Sequence, residues 1–168
     1  MIINRIWSMP NKNTFSIKPI KELIKKYNNP NLLSVDPFAN NSKLAKITND
    51  LDISYDTTHH LDALIFLDIF ENESIDLILN DPPYNFNQLK QCYNIQKESK
   101  NLNDNYDYWF QIFKKYHEKL KKNGKIITFS WNSSGINMSN NLEIIEVLFV
   151  PHGGIHYDTV CVVENKLF

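Results

Sequence analysis

Ile75-Asp76-Leu77-Ile78-Leu79-Asn80-Asp81-Pro82-Pro83-Tyr84 joins a short apolar run to a rigid polar turn. The run from Ile75 to Asn80 has the length and the branched aliphatic content of a strand. Asp81-Pro82-Pro83-Tyr84 stops it, because two prolines fix φ and remove two amide donors. Held in this way, the Asp81 carboxylate and the Pro82 carbonyl offer two acceptors that converge on an amino group. Tyr84 adds a ring on which a planar base can stack. The plainer reading of the same residues is a strand followed by a Pro-Pro turn.

Outward from this strand, helical and extended patterns alternate. Leu61, Leu64, Ile65, Leu67 and Ile69 predict a helix just upstream, preceded by a polar, irregular stretch from Leu51 to His60. Ile47-Thr48-Asn49-Asp50 and Leu32-Leu33-Ser34-Val35 predict two strands, and Lys43 to Lys46 leaves room for about one helical turn between them. Ile20, Leu23, Ile24 and Tyr27 recur at helical spacing, with Pro19 in the first turn and Asn28-Asn29-Pro30 as the stop. Met1 to Asn13 reads as an irregular arm. Downstream, Asn85 to Asn105 is polar and without periodicity, which marks a functional or disordered loop. Tyr106, Trp109, Phe110, Phe113, Tyr116 and Leu120 predict an amphipathic helix with Trp109 and Phe110 in its core stripe, closed by Asn123-Gly124. Lys125 to Trp131 predicts a strand. Ile144 to Val150 and Asp158 to Val163 predict an antiparallel pair joined through Pro151-His152-Gly153-Gly154. This order predicts a single α/β domain over residues 1–168, an open and mostly parallel sheet with a C-terminal antiparallel hairpin.

A chain of 168 residues with 42% hydrophobic content can bury one core but hardly two. Its net charge of −1 excludes a uniformly basic, duplex-gripping surface. Only local clusters are basic: Lys18, Lys21, Lys25 and Lys26, and the run from Lys114 to Lys125, both of which read as solvated helix faces. Cys92 and Cys161 lack the spacing of a zinc site or a disulfide framework. His152 and His156 flank a Gly-Gly turn without further clustered ligands, so no metal is expected. No stretch reaches the about 20 apolar residues of a membrane span, and the N-terminus lacks a secretory pattern. The expectation is an intracellular, cytoplasmic protein that does not engage a membrane.

In such sheets ligands bind beyond the carboxyl ends of the strands. Asp36-Pro37-Phe38-Ala39-Asn40-Asn41-Ser42 lies at one such end, Asp50 (or Asp52) at a second, and His60-Leu61-Asp62-Ala63-Leu64 at a third. Together with the tetrapeptide, these segments resemble the S-adenosylmethionine-dependent amino-methyltransferases that modify adenine N6 or cytosine N4. The resemblance extends to Phe15-Ser16-Ile17-Lys18-Pro19-Ile20, to His60-Leu61-Asp62-Ala63-Leu64, to Asn123-Gly124-Lys125-Ile126-Ile127, to Trp131-Asn132-Ser133 and to His152-Gly153-Gly154. It is closest to the small phage-type adenine-N6 DNA methyltransferases and covers nearly the whole chain.

That resemblance implies a Rossmann-like class I methyltransferase sheet, with a cofactor half at about 14–70 and a catalytic half at about 75–168. It assigns cofactor binding to Phe15, Ile17, Asp36, Pro37, Phe38, Ala39, Asn40, Asp50, Asp62 and Ala63. Asp81, Pro82, Pro83 and Tyr84 receive the catalytic role. Asn40 and Asn41 stand where the family has glycines, and asparagine tolerates positive φ better than most residues. The aspartate at position 81 points to adenine N6 over cytosine N4. The implied partner is nucleic acid, foremost DNA, with a flipped target base and direct in-line methyl transfer. The family's usual target-recognition domain has no place between the two halves. Residues 85–105 are therefore the candidate recognition element, and dimerisation or a separate specificity subunit remains open. RNA or another amine as acceptor, and a non-catalytic scaffold of the same fold, are the competing readings.

Overall fold

The computed structural model describes residues 1–83, 106–136 and 141–168. Tyr84, the 85–105 segment and Cys92 lie outside the described residues. The elements are β1 (Ile2–Arg5), α1 (Lys18–Tyr27), β2 (Ser34–Asp36), β3 (Ile47–Thr48), α2 (Ala63–Asp68), β4 (Ile75–Asn80), α3 (Tyr106–Lys119), β5 (Leu120–Ser130), β6 (Leu142–Val150) and β7 (Thr159–Lys166). A 3-10 turn, Thr14–Ser16, precedes α1.

The described strands form one sheet in the order β1-β6-β7-β5-β4-β2-β3. Strands β3, β2, β4 and β5 run parallel. Strand β7 enters antiparallel between β5 and β6, which completes the expected hairpin. Successive side chains on a strand point to opposite faces, so the central strands feed two cores. Leu77, Leu79, Ile127 and Phe129 pack with Phe15, Ile20 and Ile24 on the α1 face. Ile78 and Ile126 pack with Phe66, Leu67, Ile112 and Tyr116 under α2 and α3. Burial of each large apolar side chain contributes about 1.5–3 kcal/mol.

Four expectations are corrected. The N-terminal arm contains β1, which pairs parallel with β6 from Ile2 opposite Glu146 to Arg5 opposite Phe149. All four of its residues are exposed, so backbone pairing and the bond from Asn4 Nδ2 to Glu146 Oε1 hold it and no apolar stripe announces it. Residues 43–46 form no helical turn. The third helix ends at Lys119 and not at Asn123-Gly124. There the buried Lys166 of β7 donates to the carbonyls of His117 (2.9 Å) and Leu120 (2.8 Å), a cap supplied from far along the chain. Asn123, at φ 62°, sits instead where β5 shifts register against β4. A Cβ on the neighbouring Gly124 would lie 2.8 Å from Leu120 Cγ. Finally, Phe110 is 48% exposed, and the buried stripe of α3 runs through Ile112 and Tyr116 to Leu120 at the start of β5. Among the described residues, no helix is long and apolar enough to cross a membrane.

Candidate active site

Strands β2 and β4 are neighbours, but the chain leaves β2 for β3 on one side and reaches β4 on the other. In open α/β sheets such a reversal is where a ligand crevice forms, at the carboxyl ends of the parallel strands. Asp36 is the last residue of β2, Asp50 follows β3, and Asp81 follows β4. The other two carboxylates act on Asp36: burial pushes its carboxyl well above the usual carboxylate range, and the charges of Asp81 and Asp50 push the same way. The Phe38 amide opposes them by donating to Asp36 Oδ1 at 3.0 Å. Asp36 Oδ2 is buried and has no hydrogen-bond partner among the described residues. A carboxylate left half-satisfied in a low-dielectric crevice favours a cation or a donor placed against it.

The loop after Asp36 is built by backbone bonding. Asn40 adopts φ 49°, so an asparagine does take the left-handed turn. Its amide donates to Asp50 Oδ2 at 2.9 Å, and the Asp52 amide donates to Asp50 Oδ1 at 3.0 Å. Asp50 is fully buried and so clamps the loop from β3. Pro37 and Ala39 are buried, whereas Phe38 is half-buried and packs on Trp109 with ring centroids 6.0 Å apart.

Asn49 is a connector that residue patterns did not single out. Its Nδ2 donates to the carbonyls of Pro37 (3.1 Å) and Leu61 (2.9 Å), and its Oδ1 accepts from the Leu61 amide (2.9 Å). One buried side chain thereby ties the 36–42 loop to the 60–64 segment. Asp62 caps α2 by accepting from the Leu64 amide at 2.9 Å. Its other oxygen accepts from the Tyr108 hydroxyl at 2.7 Å. Burial first, and then this bond, push the Tyr108 hydroxyl far up its titration range. Ala63 is buried in the first turn of α2.

Phe15 and Ile17 are buried on the α1 face, Phe15 with its ring centroid 4.8 Å from that of Phe129 near the end of β5. They sit on the opposite side of the sheet from Asp62. Asp81, Pro82 and Pro83 are half-buried and irregular directly after β4. Asn80, just before them, is 1% exposed; its Oδ1 accepts from the Tyr116 hydroxyl at 2.9 Å, and its Nδ2 reaches Thr128 Oγ1 at 3.5 Å. This chain of buried polar groups pins the end of β4 between α3 and β5. The only signal for it in the sequence is a polar residue ending an apolar strand.

Cys161 is buried in β7, and burial, followed by the Asp81 charge, pushes its thiol up, away from nucleophilic use. His152 is also engaged: Nδ1 lies 2.8 Å from the Ser8 carbonyl and Nε2 2.9 Å from Thr159 Oγ1. It fastens the chain after β1 to the β6-β7 connection.

No protein-family model matches the sequence, and no curated protein matches it. Solved structures do. TrmN from Thermus thermophilus superposes over 90% of this chain with a TM-score of 0.62 at 14% identity. The chain spans 49% of that protein, about half its length. The 1,6-didemethyltoxoflavin-N1-methyltransferase of Burkholderia thailandensis, solved with bound 1,6-didemethyltoxoflavin and S-adenosylhomocysteine, matches 90% of this chain and 78% of its own (TM-score 0.61, 9% identity). The Streptococcus mutans protein SMU.1697c, in complex with SAH, matches 95% of this chain and 100% of its own (TM-score 0.56, 13% identity). The fold is the Rossmann-like fold of methyltransferases. Within it, the crevice that holds Asp36, Asp50 and Asp81 occupies the carboxyl edge of the sheet, where ligands bind in open α/β sheets.

Proposed function

We propose that this chain is an S-adenosylmethionine-dependent methyltransferase that acts on the exocyclic N6 amine of adenine in DNA. The observation that carries the reading is Asp81-Pro82-Pro83 leaving β4 at the sheet's reversal point, beside the buried Asp36, one oxygen of which has no partner among the described residues. Asp36 suits a cationic ligand, and the clamped 36–42 loop forms the wall next to it. When bound, S-adenosylmethionine would supply a methyl group on a sulfonium, whose carbon–sulfur bond breaks as the amine lone pair takes up the methyl. Asp81 and the Pro82 carbonyl would accept hydrogen bonds from the two amine hydrogens, which draws the nitrogen lone pair out of ring conjugation. After transfer, as the neutral thioether departs, the cationic methylated nitrogen loses one of those protons, past Asp81, to solvent. Asn80, Tyr116 and Thr128 would hold that turn in place, so most of the rate gain comes from orientation. Tyr84 is assigned the stacking role on the tetrapeptide's resemblance alone. Adenine N6 in DNA rests on the same resemblance, and a homodimer or a specificity subunit would complete site recognition.

The test is transfer of labelled methyl to duplex DNA, single-stranded DNA, RNA and free adenosine, with the product nucleosides identified by mass. Methylated deoxyadenosine, reduced at least about a hundredfold by Asp81→Ala, is the expected outcome. Methylation of RNA or of the free nucleoside alone would move the acceptor while keeping the chemistry. SAH binding without transfer to any acceptor would overturn the stand-alone enzyme.

A further inference from the structure

Away from the crevice, a groove runs between α1 and the 42–46 segment. One part, about 420 Å³, is lined by Lys25, Asn28, Asn29, Ser34, Lys43 and Lys46 among others. The adjoining part, about 210 Å³, is lined by Asn13, Phe15, Ser16, Lys21 and Ser42, and the two share Lys43 and Leu44. The chain carries 18 basic and 19 acidic residues, yet among the described residues no acidic one lines either part. Lys21 and Lys25 stand one helical turn apart on α1, while Lys43 and Lys46 face them from the other wall.

These lysines differ from the rest of their cluster. Lys26 is tied to Glu146 at 2.6 Å, and Lys18 pairs with Glu22 at 4.0 Å. Lys43 pairs with the exposed Asp56 at 2.9 Å. Lys21, Lys25 and Lys46 are exposed and form no ion pair among the described residues. Asp76 lies within electrostatic reach of Lys46, but it is held by Lys121 at 2.8 Å and by the Leu33 amide. Asn28 Oδ1 is buried without a partner among the described residues, which leaves an acceptor in the groove for a ligand hydroxyl or amine. The polar lining is amide and hydroxyl, and no exposed ring offers a base a stacking surface.

We propose that this groove is a track for the phosphodiester backbone of a nucleic-acid strand, sequence-neutral and leading past Ser42 toward the 36–42 loop. The proposal rests on the nucleic-acid acceptor proposed above. Unpaired lysines on two facing walls with no lining carboxylate suit a polyanion, and contacts of this kind position a strand without reading its bases. The near-neutral net charge of the chain is thus compatible with nucleic-acid binding, because the positive charge is concentrated locally.

The full chain is titrated with labelled 20-nucleotide single-stranded DNA, the matching duplex and the matching RNA over a salt series. Wild type is compared with the triple variant Lys21→Gln, Lys25→Gln, Lys46→Gln. All three positions are exposed, and an unchanged thermal melt confirms the fold. The variant is expected to bind more weakly, with its slope of log affinity against log salt less steep by about 2–3, the share of three phosphate contacts. SAH affinity should stay the same in both. The strand type that loses most identifies the occupant. Equal affinity and equal slope in the two proteins would overturn the groove, as would binding of inorganic pyrophosphate with no oligonucleotide binding. Slope-sensitive oligonucleotide binding by a chain that takes up no SAH would sustain the groove and overturn the methyltransferase reading.

Discussion

Asp36 has one oxygen bonded to a backbone amide and the other buried without a partner among the described residues. Its carboxyl is raised in the folded chain, by burial first and by like charge second, and titrates normally in the unfolded chain. Its contribution to stability is therefore complete below the ordinary carboxylate range and is lost as pH rises through the raised folded value. Asp36→Asn keeps an acceptor for the Phe38 amide and removes the ionisation. The variant is expected to lose this part of the pH dependence in thermal melts and to be at least as stable as wild type at pH 8. Its SAH affinity should fall at least about tenfold, since a charged partner is worth ~1.5–3 kcal/mol. A variant with the wild-type pH profile and unchanged SAH affinity would remove Asp36 from the site. The carboxylate was legible in the sequence as the end of a strand before Pro37. Its raised titration was not, because that depends on Asp81 and Asp50 arriving from other strands.

Among the elements, the end of β4 depends on α3 more than on its own residues. Tyr116 projects from α3 to Asn80, and both are almost fully buried. Tyr116→Phe leaves the Asn80 acceptor without its donor and should cost about 1–3 kcal/mol, read as a fall in thermal midpoint. If Asn80 positions Asp81 for the proposed methyl transfer, the turnover number should drop while the Michaelis constant for the acceptor found in the transfer assay stays near its wild-type value. A stability loss with unchanged turnover would reduce Tyr116 to a packing role. Hydrophobic patterning located α1, which buries the stripe its own sequence repeats, and β4 and the β6-β7 pair, which are near-continuous apolar runs. It also located α2, but Ile65 and Ile69 of the expected stripe are exposed, and Phe66 and Phe70 are buried beside Leu67 instead. The end of α3 was not legible, because Lys166 caps it from β7, and neither was β1, whose hold on β6 is backbone pairing at an exposed edge with the Asn4 side-chain bond to Glu146.

At the scale of the whole molecule, Glu146 fastens the edge of the sheet to its helical cover. The Glu146 carboxylate, in the middle of β6, accepts from Lys26 (2.6 Å), Tyr27 (2.5 Å) and Asn4 (3.2 Å), which belong to α1 and β1. Burial pushes this carboxyl up, but the bonds from Lys26, Tyr27 and Asn4 outweigh it and the net shift is downward. The stability it supplies is present above the ordinary carboxylate range and disappears as pH falls through the lowered folded value. Glu146→Gln should therefore cost about 1–3 kcal/mol at pH 7, towards the lower end because Lys26 is half-exposed. In urea melts its difference from wild type should shrink towards pH 3; an equal difference at both pH values would reject the ionic role. The sequence by itself determined the α/β class, the order of most elements and the residues at the ends of β2 and β4, because local periodicity and turn chemistry act within a few residues. Tertiary structure alone decided which carboxylates meet, that Asn49 and Asp62 bind the site's supports, and that Lys21, Lys25, Lys43 and Lys46 face one groove. Those relations join residues distant in the chain, and their energies depend on burial and distance, which exist only once the sheet has closed.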